Sequence, residues 1–135
     1  MKKFILDIIP YIVIVIVVVL IRSFIVTPIR VSGPSMNPTL KSGYIMILNK
    51  LAKIDRYDIV VINSKKSPNV LIIRVIGLPG ETIEVKNGDI YINDKKIKDK
   101  YGSGTTGDFE KITIPKNEYF VMGDNRPVSA DSRIF

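Results

Sequence analysis

The chain has no cysteine and no histidine in its 135 residues. The first absence excludes disulfides and thiol nucleophiles; the second excludes a Ser–His pair, and together they exclude most zinc sites. Absent cysteine assigns no compartment by itself. Helical periodicity is also scarce, since no useful length of helical spacing follows Val26. No metal or nucleotide motif occurs, so no cofactor is expected. Acidic residues are the minority, 13 Asp+Glu against 20 Lys+Arg, for a net charge of +7. That excess would suit anionic lipid or nucleic acid. However, Lys65-Lys66, Lys95-Lys96 and Lys98-Asp99-Lys100 are short clusters in expected loops, not a stripe. They read as solvated loop charge with membrane-surface contact, and no nucleic-acid partner is expected.

What is present begins with an apolar run. Ile8 to Ile21 is nearly all Ile, Val and Leu, and counted outward to Val26 it approaches the roughly 20 residues that cross a bilayer. In lipid such a β-branched run must satisfy its backbone internally, which leaves helix as the solution. Ser23-Phe24-Ile25 is not a small-x-small cleavage site, so the run reads as an uncleaved anchor and not as a secretory leader. Residues 1–27 are thus the anchor, with about 4–26 spanning, and 28–135 form an extracytoplasmic domain. Lys2 and Lys3 before the span, against Arg22 and Arg30 after it, lean toward a cytoplasmic N-terminus.

The remainder is strand-like. Tyr44 to Leu48, Tyr57 to Ile62 and Val70 to Ile76 are β-rich runs between turn signals. Thr82 to Val85 and Asp89 to Ile92 alternate with period two around Asn87-Gly88, a strong hairpin signal. Ile112 to Ile114 and Tyr119 to Met122 are two more strands, and the glycine- and threonine-rich Tyr101 to Asp108 reads as a mobile loop. The expected class is all-β, a folded sheet or barrel behind one transmembrane helix. The chain stops on Ile134-Phe135 straight after a dense polar motif, and a further strand is expected beyond it.

Ser32-Gly33-Pro34-Ser35-Met36-Asn37-Pro38-Thr39-Leu40 follows the anchor. Its prolines fix φ, lack an N–H and push the preceding residues toward extended geometry, so Ser35 is presented from a rigid loop. By itself the stretch also fits a plain membrane-proximal turn. Two further stretches decide between these readings: Arg74-Val75-Ile76-Gly77-Leu78-Pro79-Gly80, and Gly123-Asp124-Asn125-Arg126-Pro127-Val128-Ser129-Ala130-Asp131-Ser132-Arg133.

In this order, behind an N-terminal anchor, the three motifs resemble the type I signal peptidases of bacteria, Ser–Lys serine endopeptidases that remove signal peptides from exported preproteins at the outer face of the cytoplasmic membrane. The resemblance covers nearly the whole chain. It implies Ser35 as nucleophile, with its own N–H beside Gly33 contributing to an oxyanion hole, and Met36 packing under the substrate cleft. It implies that Ser129 orients the lysine amine, and that Asp131, Arg133 and Arg74 form a buried salt-bridged support. Gly123, Asp124 and Asn125 read as a strand-ending turn supporting the same corner. Preprotein signal peptides and the lipid bilayer are the implied partners, with an extended substrate carrying small side chains before the scissile bond, and the chain is expected to be a monomer.

One position departs from that pattern. The family places its lysine base immediately before the middle-motif arginine, where this chain has Ile73. Isoleucine accepts no proton, and Arg74 remains protonated in proteins. Lys65 and Lys66 lie upstream in an expected loop, poorly placed to replace it. The chain is therefore expected to be impaired as a peptidase: a dead or weakened paralogue that still binds exported substrates or assists surface-fibre assembly, an enzyme disabled by Lys-to-Ile replacement, or one with another base. The cytosolic Ser–Lys self-cleaving repressors, a third class, are disfavoured by the anchor and the Gly123–Arg133 motif.

Overall fold

The computed structural model describes residues 2–63 and 70–134. They divide into two compact units. One comprises residues up to Arg30 together with Ile45–Lys53, the other Val31–Tyr44 and the residues from Ile54 onward.

The first unit is built on α1 (Lys2–Phe24), whose segment Asp7–Phe24 has a mean hydropathy of 2.4 and no residue buried within the protein. That length and composition suffice to cross a bilayer. The helix gives way within two residues to β1 (Val26–Arg30), because Pro28 holds Thr27 in extended geometry. Pro28 is tolerated there because β1 pairs only with β2 (Ile45–Asn49), antiparallel, Pro28 opposite Ile47. The last turn of the helix is satisfied by the ribbon itself. Thr27 Oγ1 donates to Arg22 O (2.8 Å), Lys50 Nζ donates to Ser23 O (2.8 Å), and Lys50 N donates to Ile25 O (2.9 Å). Carbonyls at a helix C-terminus otherwise lack partners and attract cations.

The second unit contains two antiparallel sheets. The first orders β3 (Ile59–Asn63), β4 (Val70–Gly77) and β9 (Phe120–Met122) with β4 central; the other orders β7 (Lys95–Lys96), β6 (Asp89–Ile92), β5 (Thr82–Lys86) and β8 (Phe109–Thr113). Ile76, Phe120 and Met122 of the first sheet pack against Ile83, Val85, Ile90 and Ile92 of the second, with Ile114 between them, to form the main core. The opposite face of the first sheet carries a smaller cluster of Ile73, Val75 and Val121 with Val60, Ile62 and Leu78.

The all-β class with one apolar N-terminal helix matches the expectation. Asn87-Gly88 turns β5 into β6 with both residues at positive φ, and the Asp108 carboxylate accepts from both turn amides at 2.8 Å. Strand β8 begins at Phe109, three residues before the expected Ile112. Two elements went unexpected: β1, which continues an apolar run, and β7, reached through an Asn93-Asp94 turn whose two residues also have positive φ. Lys65 and Lys66 lie outside the described residues.

Candidate active site

In the second unit, Ser35 lies on the loop between Val31 and Tyr44, closed at its base by Val31 N to Tyr44 O (2.8 Å) and Gly43 N to Val31 O (2.9 Å). Inside it, Asn37 N donates to Pro34 O and Leu40 N to Met36 O, folding the motif into consecutive turns. Met36 (1% exposed), Val31 and Leu40 are its buried plugs. Gly33, with φ +89° and nothing within 4 Å of a would-be Cβ, occupies backbone space that favours glycine beside the half-buried Ser35. No described residue hydrogen-bonds the Ser35 hydroxyl.

The loop meets the distant Gly123–Arg133 motif through main chain. Asn125 N donates to Ser35 O at 2.9 Å, and Asn125 Nδ2 donates to Pro34 O, 91 residues away, at 3.2 Å. Gly123 is tightly enclosed: a Cβ there would stand 2.6 Å from Ser35 O and collide with the Ser129 hydroxyl. The β4–β9 register pairs Arg74 with Met122, so Ile73 is next outward along β4. Ile73 is 1% exposed. Ser35, Gly123 and Ser129 therefore converge on one corner, and Ile73 is the residue of β4 next to Arg74, whose partner Met122 precedes Gly123. The Ser129 Oγ at that corner is buried without a hydrogen-bond partner among the described residues, as is Asn37 Oδ1. A buried hydroxyl left unpaired carries a desolvation cost of roughly 1–3 kcal/mol, which most proteins avoid.

Two separate ion pairs brace the corner. Arg74 holds Asp124 bidentately, donates Nη1 to Tyr57 O (2.7 Å), and lies 3.8 Å beneath the Tyr101 ring. Tyr57 itself has φ 73°, a strained value for a bulky residue, and its carbonyl is secured by Arg74 while its N–H donates to Val75 O. Arg133 holds Asp131 in the same forked manner (2.8 and 2.7 Å), and Asp131 Oδ2 also accepts from Gly123 N (3.1 Å). The expectation that Arg74 shares the Asp131–Arg133 support is corrected here. Its guanidinium takes Asp124 while Arg133 takes Asp131, so Asp124 is an ion-pair member as well as a turn residue.

Tyr101 to Asp108 is not the loose loop that its composition led us to expect. The segment is bonded down: Ser103 forms a parallel bridge to Asn125, and the wholly buried Arg126 side chain binds Thr106 and Asp99. The family resemblance assigns Arg126 no role; the signal available for one is an arginine directly following the turn residues Asp124-Asn125. Near the Gly77–Gly80 turn, burial raises the Glu81 pKa, but the Arg56 hydrogen bond, the Leu78 N–H and the Arg56 charge together leave it below the ordinary carboxylate value. This pair ties Arg56 to the turn that follows β4.

Chemically, the corner offers a loop hydroxyl, an adjacent main-chain N–H, a buried hydroxyl that can orient a third group, and two rigid guanidinium–carboxylate pairs. Among the described residues no group of three or more His, Cys, Asp or Glu gathers to hold a metal. The family model described as "Signal peptidase, peptidase S26" matches residues 2–135. Signal peptidase I of Bacillus amyloliquefaciens is 46% identical over 84% of this chain and 67% of its own length. Signal peptidase I S of Bacillus subtilis (strain 168) is 43% identical over 98% and 80%. The crystal structure of a signal peptidase I from Enterococcus faecalis V583 superposes with a TM-score of 0.55 at 35% identity, covering 61% of this chain and 86% of that one.

Proposed function

This chain belongs to the signal peptidase family, peptidase S26, and from that premise we propose that it handles the N-terminal signal peptides of exported preproteins, with Ser35 as nucleophile and with turnover held low by Ile73. By family it is a serine peptidase with a membrane-anchoring helix. In a Ser–Lys site the neutral amine takes the hydroxyl proton as oxygen attacks the scissile carbonyl, and the Ser35 N–H faces the oxyanion that forms. Burial keeps such an amine neutral near operating pH. Ile73 supplies the burial and not the amine.

The observation that supports this reading is the Ser129 hydroxyl, buried without a hydrogen-bond partner among the described residues and enclosed beside Gly123, which follows the Met122 that pairs with Arg74, the neighbour of Ile73. A lysine amine from position 73 would meet a ready acceptor there. In the proposed arrangement the N-terminus is cytoplasmic, the β-domain lies on the outer face, the chain is a monomer, and substrate binds extended with small residues before the scissile bond. The test is preprotein cleavage in detergent by the chain, by Ile73→Lys and by Ile73→Lys/Ser35→Ala. Expected is very slow cleavage by the unaltered chain, a gain of about a thousandfold or more with Ile73→Lys, and its loss when Ser35 is removed. Ser35-dependent cleavage by the unaltered chain at the Ile73→Lys rate overturns it.

Ile73 also supports a second reading, in which the chain binds signal peptides, or assists surface-fibre assembly, without turnover. Saturable binding of a signal-peptide mimic by the unaltered chain, with no product over days, favours it over a slow enzyme.

A further inference from the structure

Opposite edges of the short turn Asp124–Arg126 are committed to two different segments. One edge holds the nucleophile loop, through Asn125 N to Ser35 O and Asn125 Nδ2 to Pro34 O. The other holds the segment Asp99–Thr106: Ser103 N donates to Asp124 O at 2.7 Å, and Arg126 N donates to Ser103 O at 3.0 Å. Arg126 closes the arrangement from beneath. Its side chain is wholly buried and donates Nε to Gly123 O (3.0 Å), Nη1 to Thr106 Oγ1 (3.0 Å) and Nη2 to Asp99 Oδ1 (2.9 Å), with Nη1 also 2.5 Å from Asp99 Oδ2. Gly102 lies directly on this guanidinium. A Cβ there would be 2.7 Å from Arg126 Cζ and would collide with the Asp99 carboxylate. At the same end of the segment, Tyr101 covers Arg74, whose fork holds Asp124.

We propose that Asp99–Thr106 is a strap, clasped by Arg126, that sets the position of the Ser35 loop, which makes Arg126 and Asp99 positioning residues for the peptidase site. The inference rests on the family reading above for what Ser35 does. The turn's amide and carbonyl groups on both edges are engaged, so it cannot move toward the strap without drawing the Ser35 carbonyl along. A guanidinium bonded to three backbone or side-chain acceptors on two segments is a rigid joint, because its planar fork loses all its bonds together when rotated. A displacement of about 1 Å at a nucleophile is enough to cost on the order of a hundredfold in rate. A brace that only stabilised the strap would need no bond from the same turn to Ser35.

The test compares Asp99→Asn, Gly102→Ala and Arg126→Lys in the membrane-anchored chain in detergent, each with and without Ile73→Lys. The first readout is hydrogen exchange of the Asn125 amide against amides of the β5–β6 ladder. Expected is at least about tenfold faster exchange at Asn125 with the ladder unchanged. The second readout, in the Ile73→Lys chains, is a fall in kcat of about tenfold or more with KM within about twofold. Should Arg126→Lys fail to fold, Asp99→Asn alone decides the matter. Unchanged exchange at Asn125 while Ser103 exchanges faster overturns the strap and leaves the family reading standing. Faster Asn125 exchange in a set where Ile73→Lys restores no cleavage upholds the strap and removes the lysine-loss reading.

Discussion

Arg74 and Asp124 meet through two parallel hydrogen bonds, Nε to Oδ1 at 2.8 Å and Nη2 to Oδ2 at 2.7 Å, with 4% and 0% of their side chains exposed. The pair joins the central strand β4 to the turn after β9. Truncating one partner of a buried ion pair strands the other charge in low dielectric, which costs more than the pair itself contributes. Asp124→Ala is expected to destabilise the second unit by about 3–5 kcal/mol. Arg74→Lys keeps the charge and loses the fork, and is expected to fall between wild type and Asp124→Ala. Thermal unfolding followed by circular dichroism checks both, and equal stabilities for the three proteins would refute the argument.

Ser129→Ala should behave in opposite ways on two backgrounds. In the unaltered chain the hydroxyl has no described partner, so its removal is expected to change stability by less than about 1 kcal/mol, or to raise it. With Ile73→Lys in place the same change is expected to lower preprotein cleavage by about tenfold or more, since the amine loses the group that orients it. A double-mutant cycle over positions 73 and 129 measures this coupling. A coupling of zero would mean that the two side chains do not share a site.

Gly123→Ala is expected to be among the most damaging small substitutions in the chain. The added methyl must displace either the Ser129 side chain or the Ser35 carbonyl, both of which border positions already packed. Overpacking of this kind costs about 1–3 kcal/mol. Because Ser35 O is one of the two obstacles, cleavage in the Ile73→Lys background should fall further than stability does. Cleavage by Gly123→Ala/Ile73→Lys at the rate of Ile73→Lys alone would show that the corner yields easily.

Acid should loosen the β5–β8 sheet and the turn after β4. Gly88 and Asn87 amides hold the Asp108 carboxyl below the ordinary range, and the Lys111 hydrogen bond and charge do so for Asp94. Glu81 is lowered despite its burial, by Arg56 and the Leu78 amide. A carboxyl whose folded pKa is depressed contributes stability that is fully present above its unfolded pKa, about 4, and that disappears as pH falls through the lower folded value. Stability is therefore expected to be flat in these groups from neutral pH down to about 5 and to decline below about 4. Asp108→Asn should shrink that decline in denaturant titrations, and an unchanged acid limb in that variant would remove Asp108 from the account.

The parts legible in the sequence were those whose signal is local. Two prolines and a glycine around Ser35 specify a presented loop, and Asn87-Gly88 specifies a tight turn whatever lies elsewhere. The parts that were not legible depend on remote partners. Tyr101 to Asp108 has the composition of a loose loop, and nothing within it announces that Arg126 and Asn125 bind it. Arg74 carries no mark distinguishing Asp124 from Asp131 as its partner; strand register decides that, by placing Arg74 opposite Met122 and one step from the turn. Strand β1 was obscured because its Val-Thr-Pro-Ile continues the apolar run of the helix, and only pairing with Ile45–Asn49 marks where helix gives way to sheet.

The bonds from Thr27 and Lys50 to the end of α1 leave almost no free chain between the apolar helix and the ribbon that follows it. A soluble fragment engineered by cutting within Arg22–Ile25 would lose the acceptors at Arg22, Ser23 or Ile25 and set the ribbon adrift. Retaining those four residues, and trimming only what precedes them, keeps the splice between rod and ribbon intact.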